Sequence, residues 1–71
     1  MKNVQSVLFA RSTFSVAKAR AWLKMHGYKY GGKVDTTYRY HRFRQLPPSA
    51  YKKYRMQKAG EGIRLVLGYN E

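Results

Sequence analysis

Cysteine is absent from the sequence, and acidic residues nearly so: three Asp or Glu stand against fifteen Lys or Arg. Without cysteine no disulfide and no thiolate-bound zinc braces the chain, so a stable fold has to come from packing alone. The same absence permits a reducing compartment without requiring one. Acid–base chemistry has little to draw on, since His26 and His41 are the only histidines and Asp35 and Glu61 the only carboxylates before the C-terminal residue. Metal-ligand spacing is missing as well. No apolar run approaches the roughly 18 residues a bilayer span needs. Lys2 followed by mixed polar residues does not read as a secretory signal.

What is present is charge and a core. The formal net charge is +12 on 71 residues, and 44% of the residues are hydrophobic. That length allows one domain, taken here as residues 1–71, with a small core. The apolar fraction, with Trp22, Phe9, Phe43 and the aliphatic C-terminal run, excludes a disordered basic tail. Like charges repel in a compact state, so such an imbalance calls for a counter-charge in the working complex. A polyanion is the expected partner, with no membrane and no cofactor.

Val4 to Ala10 reads as a strand apolar on both faces, Val7 and Phe9 alternating with Ser6, Leu8 and Ala10, which suits the middle of a sheet. Ser15 is placed to cap a helix over 16–26, with Phe14 before it as a staple. Val16, Ala19, Trp22, Leu23 and His26 share one stripe of that helix; Arg20 and Lys24 lie opposite, with Lys18 on a flank. Gly27 sits where a left-handed C-cap is wanted. Gly31-Gly32 marks a flexible turn. Thr36 to Gln45, rich in Thr, Tyr and Phe, is predicted as one strand ended by Pro47-Pro48. Ser49 to Lys58 fits a helical turn or a short strand equally. Gly60-Glu61-Gly62 is a turn, and Ile63 to Tyr69 a last strand, with Ile63, Leu65 and Leu67 on one face and Arg64 and Val66 on the other. The order is β-α-β-(short element)-β: an α+β fold with one helix packed on a three- to four-stranded, mainly antiparallel sheet.

Between Thr36 and Lys58 stand seven cations and no acid: Arg39, Arg42, Arg44, Lys52, Lys53, Arg55 and Lys58. They are interleaved with Tyr38, Tyr40, His41 and Phe43. Guanidinium forks match phosphate geometry and aromatic rings offer faces to bases. On a strand, Tyr38, Tyr40, Arg42 and Arg44 share one face and Arg39, His41, Phe43 and Gln45 the other. Phe43 is the better core anchor, which turns the first four outward. Gln45 joins them as a candidate contact on the pattern described next. Lys18, Arg20 and Lys24 form a second candidate surface on the helix. His41 is the residue a small nuclease would need, but nothing places a carboxylate beside it, and the expected protein is not an enzyme.

The pieces Phe14-Ser15, Ala19-x-x-Trp22-Leu23-x-x-His26-Gly27-Tyr28, Asp35, Arg42-Phe43-Arg44-Gln45 and Gly62-Ile63-x-Leu65-Val66-x-Gly68 run through nearly the whole chain. In them the sequence resembles a short, largely uncharacterised basic domain carried by phage-encoded proteins, some of them head-associated, and by large DNA viruses. The resemblance implies a viral origin and a part in packaging, genome condensation or virion assembly. The location it implies is the host cytoplasm, the nucleoid or nucleus with the genome, or the virion. It supplies no catalytic residues. The leading expectation is a viral module that binds DNA or RNA through phosphates with low sequence specificity. The alternative is a protein-interaction or virion structural module, as a homo-oligomer or as a binder or inhibitor of a host nucleic-acid-associated protein, because a strand apolar on both faces needs a second cover beyond one helix.

Overall fold

A computed structural model of the chain describes residues 3–70. It is an α+β fold with one helix on an antiparallel sheet of five strands. In chain order the elements are β1 (Val4–Ala10), α1 (Val16–Met25), β2 (Asp35–Thr36), β3 (Tyr40–Arg44), a 3₁₀ turn (Pro48–Ala50), β4 (Lys53–Gly60) and β5 (Ile63–Tyr69). The strand order is β2-β3-β1-β5-β4, which puts the doubly apolar β1 in the middle.

The strand count differs from the expected three or four for two local reasons. First, the predicted single strand 36–45 is broken. The Thr37 side chain donates to the Tyr40 carbonyl at 3.1 Å and accepts from the Tyr40 N–H at 3.1 Å, while the Thr37 N–H bonds the same carbonyl at 2.8 Å. Those bonds close a tight turn between β2 and β3, and they take Tyr38 and Arg39 off the sheet. Second, the ambiguous segment after the prolines becomes β4, an edge strand exposed along nearly its whole length.

Both ends of α1 follow from sequence. The Ser15 hydroxyl accepts from the Lys18 N–H at 3.2 Å, and Gly27, with φ 78°, lets the chain reverse without a Cβ clash. The Tyr28 N–H returns to the Leu23 carbonyl at 2.9 Å, closing a Schellman-type end with His26 as the cap residue. The Trp22 ring stacks on His26 at 3.9 Å and runs parallel to Tyr28 at 6.0 Å, so His26 serves the helix end.

The core lies between α1 and one sheet face. Val7, Phe9, Phe43, Ile63, Leu65 and Leu67 come from the sheet, and Ala19 and Leu23 from the helix. The register sets this face: Val7 lies opposite Phe43 and Leu65, and Phe9 opposite His41 and Ile63. Phe43 is therefore the buried anchor expected of it, at 2% exposure.

Gly68 has a separate reason to lack a side chain. A Cβ there would overlap the Tyr51 ring. Tyr51 thus sits on the strand at Gly68, where the 45–52 connection passes from β3 to β4. Gly68→Ala is expected to cost about 1–3 kcal/mol by overpacking. In a Tyr51→Ala background the same change should be neutral or stabilising, because alanine suits a strand better than glycine. Urea denaturation of the four chains of this cycle measures the coupling.

Candidate functional site

Among the described residues no helix or strand lies over the sheet face opposite α1, only Tyr51 reaching onto it at Gly68, and the register decides what the face displays. Reading across β3, β1, β5 and β4, one row is Arg42, Leu8, Arg64 and Lys58. The next is Arg44, Ser6, Val66 and Met56. Tyr54 stands opposite Gly68 at one end of this face, and Tyr40 opposite Ala10 toward the other. With strands about 4.8 Å apart, the row from Arg42 to Lys58 spans about 14 Å.

The middle of this face is apolar. Gln5, Leu8, Arg42, Tyr54, Met56 and Val66 line a shallow depression of about 280 Å³. Leu8 forms its floor at 7% exposure, while Met56 and Tyr54 are 57% and 41% exposed. The Tyr54 and Tyr51 rings are perpendicular, with centroids 6.2 Å apart at 89°, and Tyr51 is itself seated at Gly68. Toward the β4–β5 turn, Tyr40, Lys58 and Arg64 edge a second hollow of about 120 Å³.

Arg42 is held in place by neutral groups. A bulge in β1 between Val4 and Ser6 brings Gln5 to this side. The Gln5 amide donates to the Leu46 carbonyl at 2.7 Å, which fixes its oxygen toward Arg42. That oxygen accepts from the Ser6 hydroxyl at 2.6 Å and from Arg42 Nη2 at 3.0 Å; Arg42 Nε donates to Ser6 Oγ at 3.2 Å. Two of the five guanidinium N–H groups are thereby used. Asp35 faces Arg42 in the β2–β3 register, but the guanidinium is directed to the β1 side.

The face is predominantly cationic, with Asp35 of β2 opposite Arg42 at its edge. β1, β3, β4 and β5 contain no Asp or Glu. Arg64 and Lys58 are directly opposite each other on neighbouring strands. A like-charged cross-strand pair destabilises a sheet unless a counter-charge bridges it.

The predicted residues between Tyr38 and Lys58, Gln45 aside, separate into three groups. Tyr40, Arg42, Arg44 and Lys58 are brought together on this face. Tyr38, at 89% exposure, and Arg39 lie in the β2–β3 turn, so the expected four-residue column is reduced to three. Lys53 and Arg55 alternate to the other side of β4, where Arg55 lies 5.7 Å over the Tyr69 ring; Lys52 lies just before the strand.

Two residues expected as ligand contacts do structural work instead. Arg20 does not project with Lys18 and Lys24. It donates to the carbonyls of Tyr30 and of Gly32, the latter at 3.1 Å, and its guanidinium lies 5.4 Å over Phe43, pinning the loop after α1. Gln45 brackets Lys29, accepting from its N–H at 2.8 Å and donating to its carbonyl at 3.0 Å. Lys18 and Lys24 are exposed on the helix, with Lys24 Nζ 5.8 Å over Tyr30.

Arg64, Tyr54 and Met56, with the positioning pair Gln5 and Ser6, were not picked out by sequence reasoning. A signal for Arg64 existed: it and Lys58 are equidistant from Glu61 in the hairpin turn, so they face each other in any symmetric pairing. His41 lies toward the helix side, its Nδ1 3.0 Å from the Thr36 hydroxyl. Among the described residues no group of three His, Cys, Asp or Glu side chains could hold a metal, and no helix is long and apolar enough to cross a membrane. Compared with known proteins, the chain matches no family model, no curated protein and no solved structure.

Proposed function

We propose that the chain is a small nucleic-acid-binding protein that contacts phosphates, with low sequence specificity, through the uncovered sheet face. The observation that carries this reading is the row Arg42–Leu8–Arg64–Lys58, three cations on strands that hold no carboxylate, two of them directly opposed. Arg44 extends the cationic side in the neighbouring row. A polyphosphate backbone laid across the face supplies the missing counter-charge and relieves the Arg64–Lys58 repulsion. Backbone contacts of this kind position a nucleic acid without reading its sequence. The Arg and Lys residues outside this face add a general attraction. The role is binding, with no catalytic step. The viral origin and the location with the genome are proposed on the resemblance of the sequence patterns alone.

Salt dependence tests the reading. With about four phosphates engaged, affinity for a single strand should fall roughly fiftyfold between about 50 and 200 mM salt. Fluorescence anisotropy with a labelled oligonucleotide measures it, and affinity indifferent to salt would overturn the proposal.

One observation favours a protein partner instead: Met56 and Val66, over a floor of buried Leu8, present an apolar patch in the middle of the sheet. A second copy of the chain is a poor cover, because it would bring two cationic frames together. Light scattering at low salt tests the second-copy form of the protein-partner reading, since the nucleic-acid reading expects a monomer in the absence of ligand.

A further inference from the structure

We propose that the ligand of the uncovered face is single-stranded, with unpaired bases lying on the Leu8–Tyr54–Met56–Val66 patch and phosphates on the cations around it. The inference rests on the nucleic-acid reading and adds what the charges alone do not specify.

Three features favour a single strand. The first is the apolar middle of the face. A duplex offers a flat surface only phosphates and sugars, since its base edges lie down grooves that a protruding helix or ribbon must enter. Here α1 is on the far side of the sheet, and Arg20, which sequence reasoning put on its outer face, is tied to the following loop. An apolar floor between cations is therefore wasted on a duplex. A single strand can turn its bases onto that floor.

The second feature is that Tyr54 is held ready. Its ring is partly exposed, and the perpendicular Tyr51 ring supports it at 6.2 Å. Tyr51 is in turn fixed by its seat at Gly68, the position where no Cβ fits. A ring braced in this way loses little freedom when a base stacks on it. Met56, half exposed beside it, adapts to bases of different size.

The third feature is the arrangement of charge around the patch. Arg42, bound by Ser6 and Gln5, stands on one side, and Lys58 and Arg64 on the other. A strand crossing the face keeps its backbone near cations while its bases occupy the middle. The same frame opposes occupation by a second basic chain.

The test compares four probes with the full chain at one moderate salt concentration: a thymidine single strand of about a dozen nucleotides, an abasic strand of the same length, a duplex of that length, and inorganic polyphosphate. The thymidine strand should bind roughly tenfold or more tightly than the abasic strand, which carries the same phosphates without bases. It should also bind more tightly than the duplex. Tyr54→Ala should weaken the thymidine strand roughly tenfold and leave the abasic strand and polyphosphate unchanged, while Tyr54→Phe keeps the stacking face and stays near the wild type. Equal affinity for the thymidine and abasic strands overturns the single-strand inference and leaves phosphate binding standing. No binding to any probe, even at low salt, overturns the nucleic-acid reading itself. The abasic comparison uses only the wild-type chain, so it decides the matter even if Tyr54→Ala fails to fold.

Discussion

Replacing Phe9 by alanine is expected to lower the melting temperature by about 15–30 °C and to leave much of the protein unfolded at 37 °C. Phe9 is fully buried on the central strand, and three aromatic rings meet it edge-on: Phe14 at 5.1 Å, Trp22 at 5.6 Å and Phe43 at 5.7 Å. Those rings come from the loop before the helix, the helix and β3, so one side chain ties three parts of the chain together. Removing a buried phenylalanine costs about 3–5 kcal/mol, and the lost aromatic contacts push toward the upper end. A domain of this length has about 4–10 kcal/mol in total. No disulfide shares the load, since the sequence has no cysteine. Circular dichroism during heating measures the shift, and Trp22 fluorescence reports the same transition from the helix side. A fall of less than about 5 °C would show that the neighbouring rings close over the gap.

The elements legible in sequence are those with one unambiguous period or a double-sided apolar run. β1 and β5 match their expected spans, and α1 lies one residue within its expected one, because Val7, Phe9, Leu65 and Leu67 on strands, and Ala19 and Leu23 on a helix, recur at the spacing that burial demands. β4 carried no such signal. It is an edge strand with little of either face buried, so Lys53 to Gly60 offers only the short alternation of Tyr54 and Met56 with polar neighbours. The break at Thr37 was hidden by propensity: Thr36, Thr37 and Tyr38 are strand formers, but a side-chain bond to the Tyr40 carbonyl turns the chain there. For the site, the outward Tyr40–Arg42–Arg44 face followed from burying Phe43. The partners of that face did not, because the order β2-β3-β1-β5-β4 is not the order of the chain. Arg20 and Gln45 share a lesson. Long polar side chains that look free on a helix or strand pattern are used here to hold loops, through backbone groups that a periodicity argument does not place.

Substituting Arg42, Arg64 and Lys58 together by glutamine is expected to weaken binding to a single strand about a thousandfold at low salt. Charge-assisted contacts contribute about 1.5–3 kcal/mol each when well formed, and exposed ones less. Arg42, half-buried and oriented by Ser6 and Gln5, should carry the largest share, with Arg64 and Lys58 nearer 1 kcal/mol each by that measure. A total of about 4 kcal/mol corresponds to that fold-change. The salt slope should flatten by about 2, because each lost phosphate contact removes about 0.7 for a single strand. Stability should move the other way for two of the three. Arg64 and Lys58 are opposed like charges in the free protein, so the pair Lys58→Gln and Arg64→Gln is expected to gain up to about 1 kcal/mol while losing affinity. Arg42→Gln breaks the bonds to Ser6 and Gln5 and should give up some of that gain. As a control, neutralising Lys18 and Lys24 on α1 removes charge from the opposite side of the sheet. If that control weakens binding as much as the triple substitution does, the anion is not held on the uncovered face, and net charge alone accounts for binding. If the paired substitution raises the melting temperature while affinity falls, the uncompensated cations are maintained at a cost to the fold because the ligand uses them.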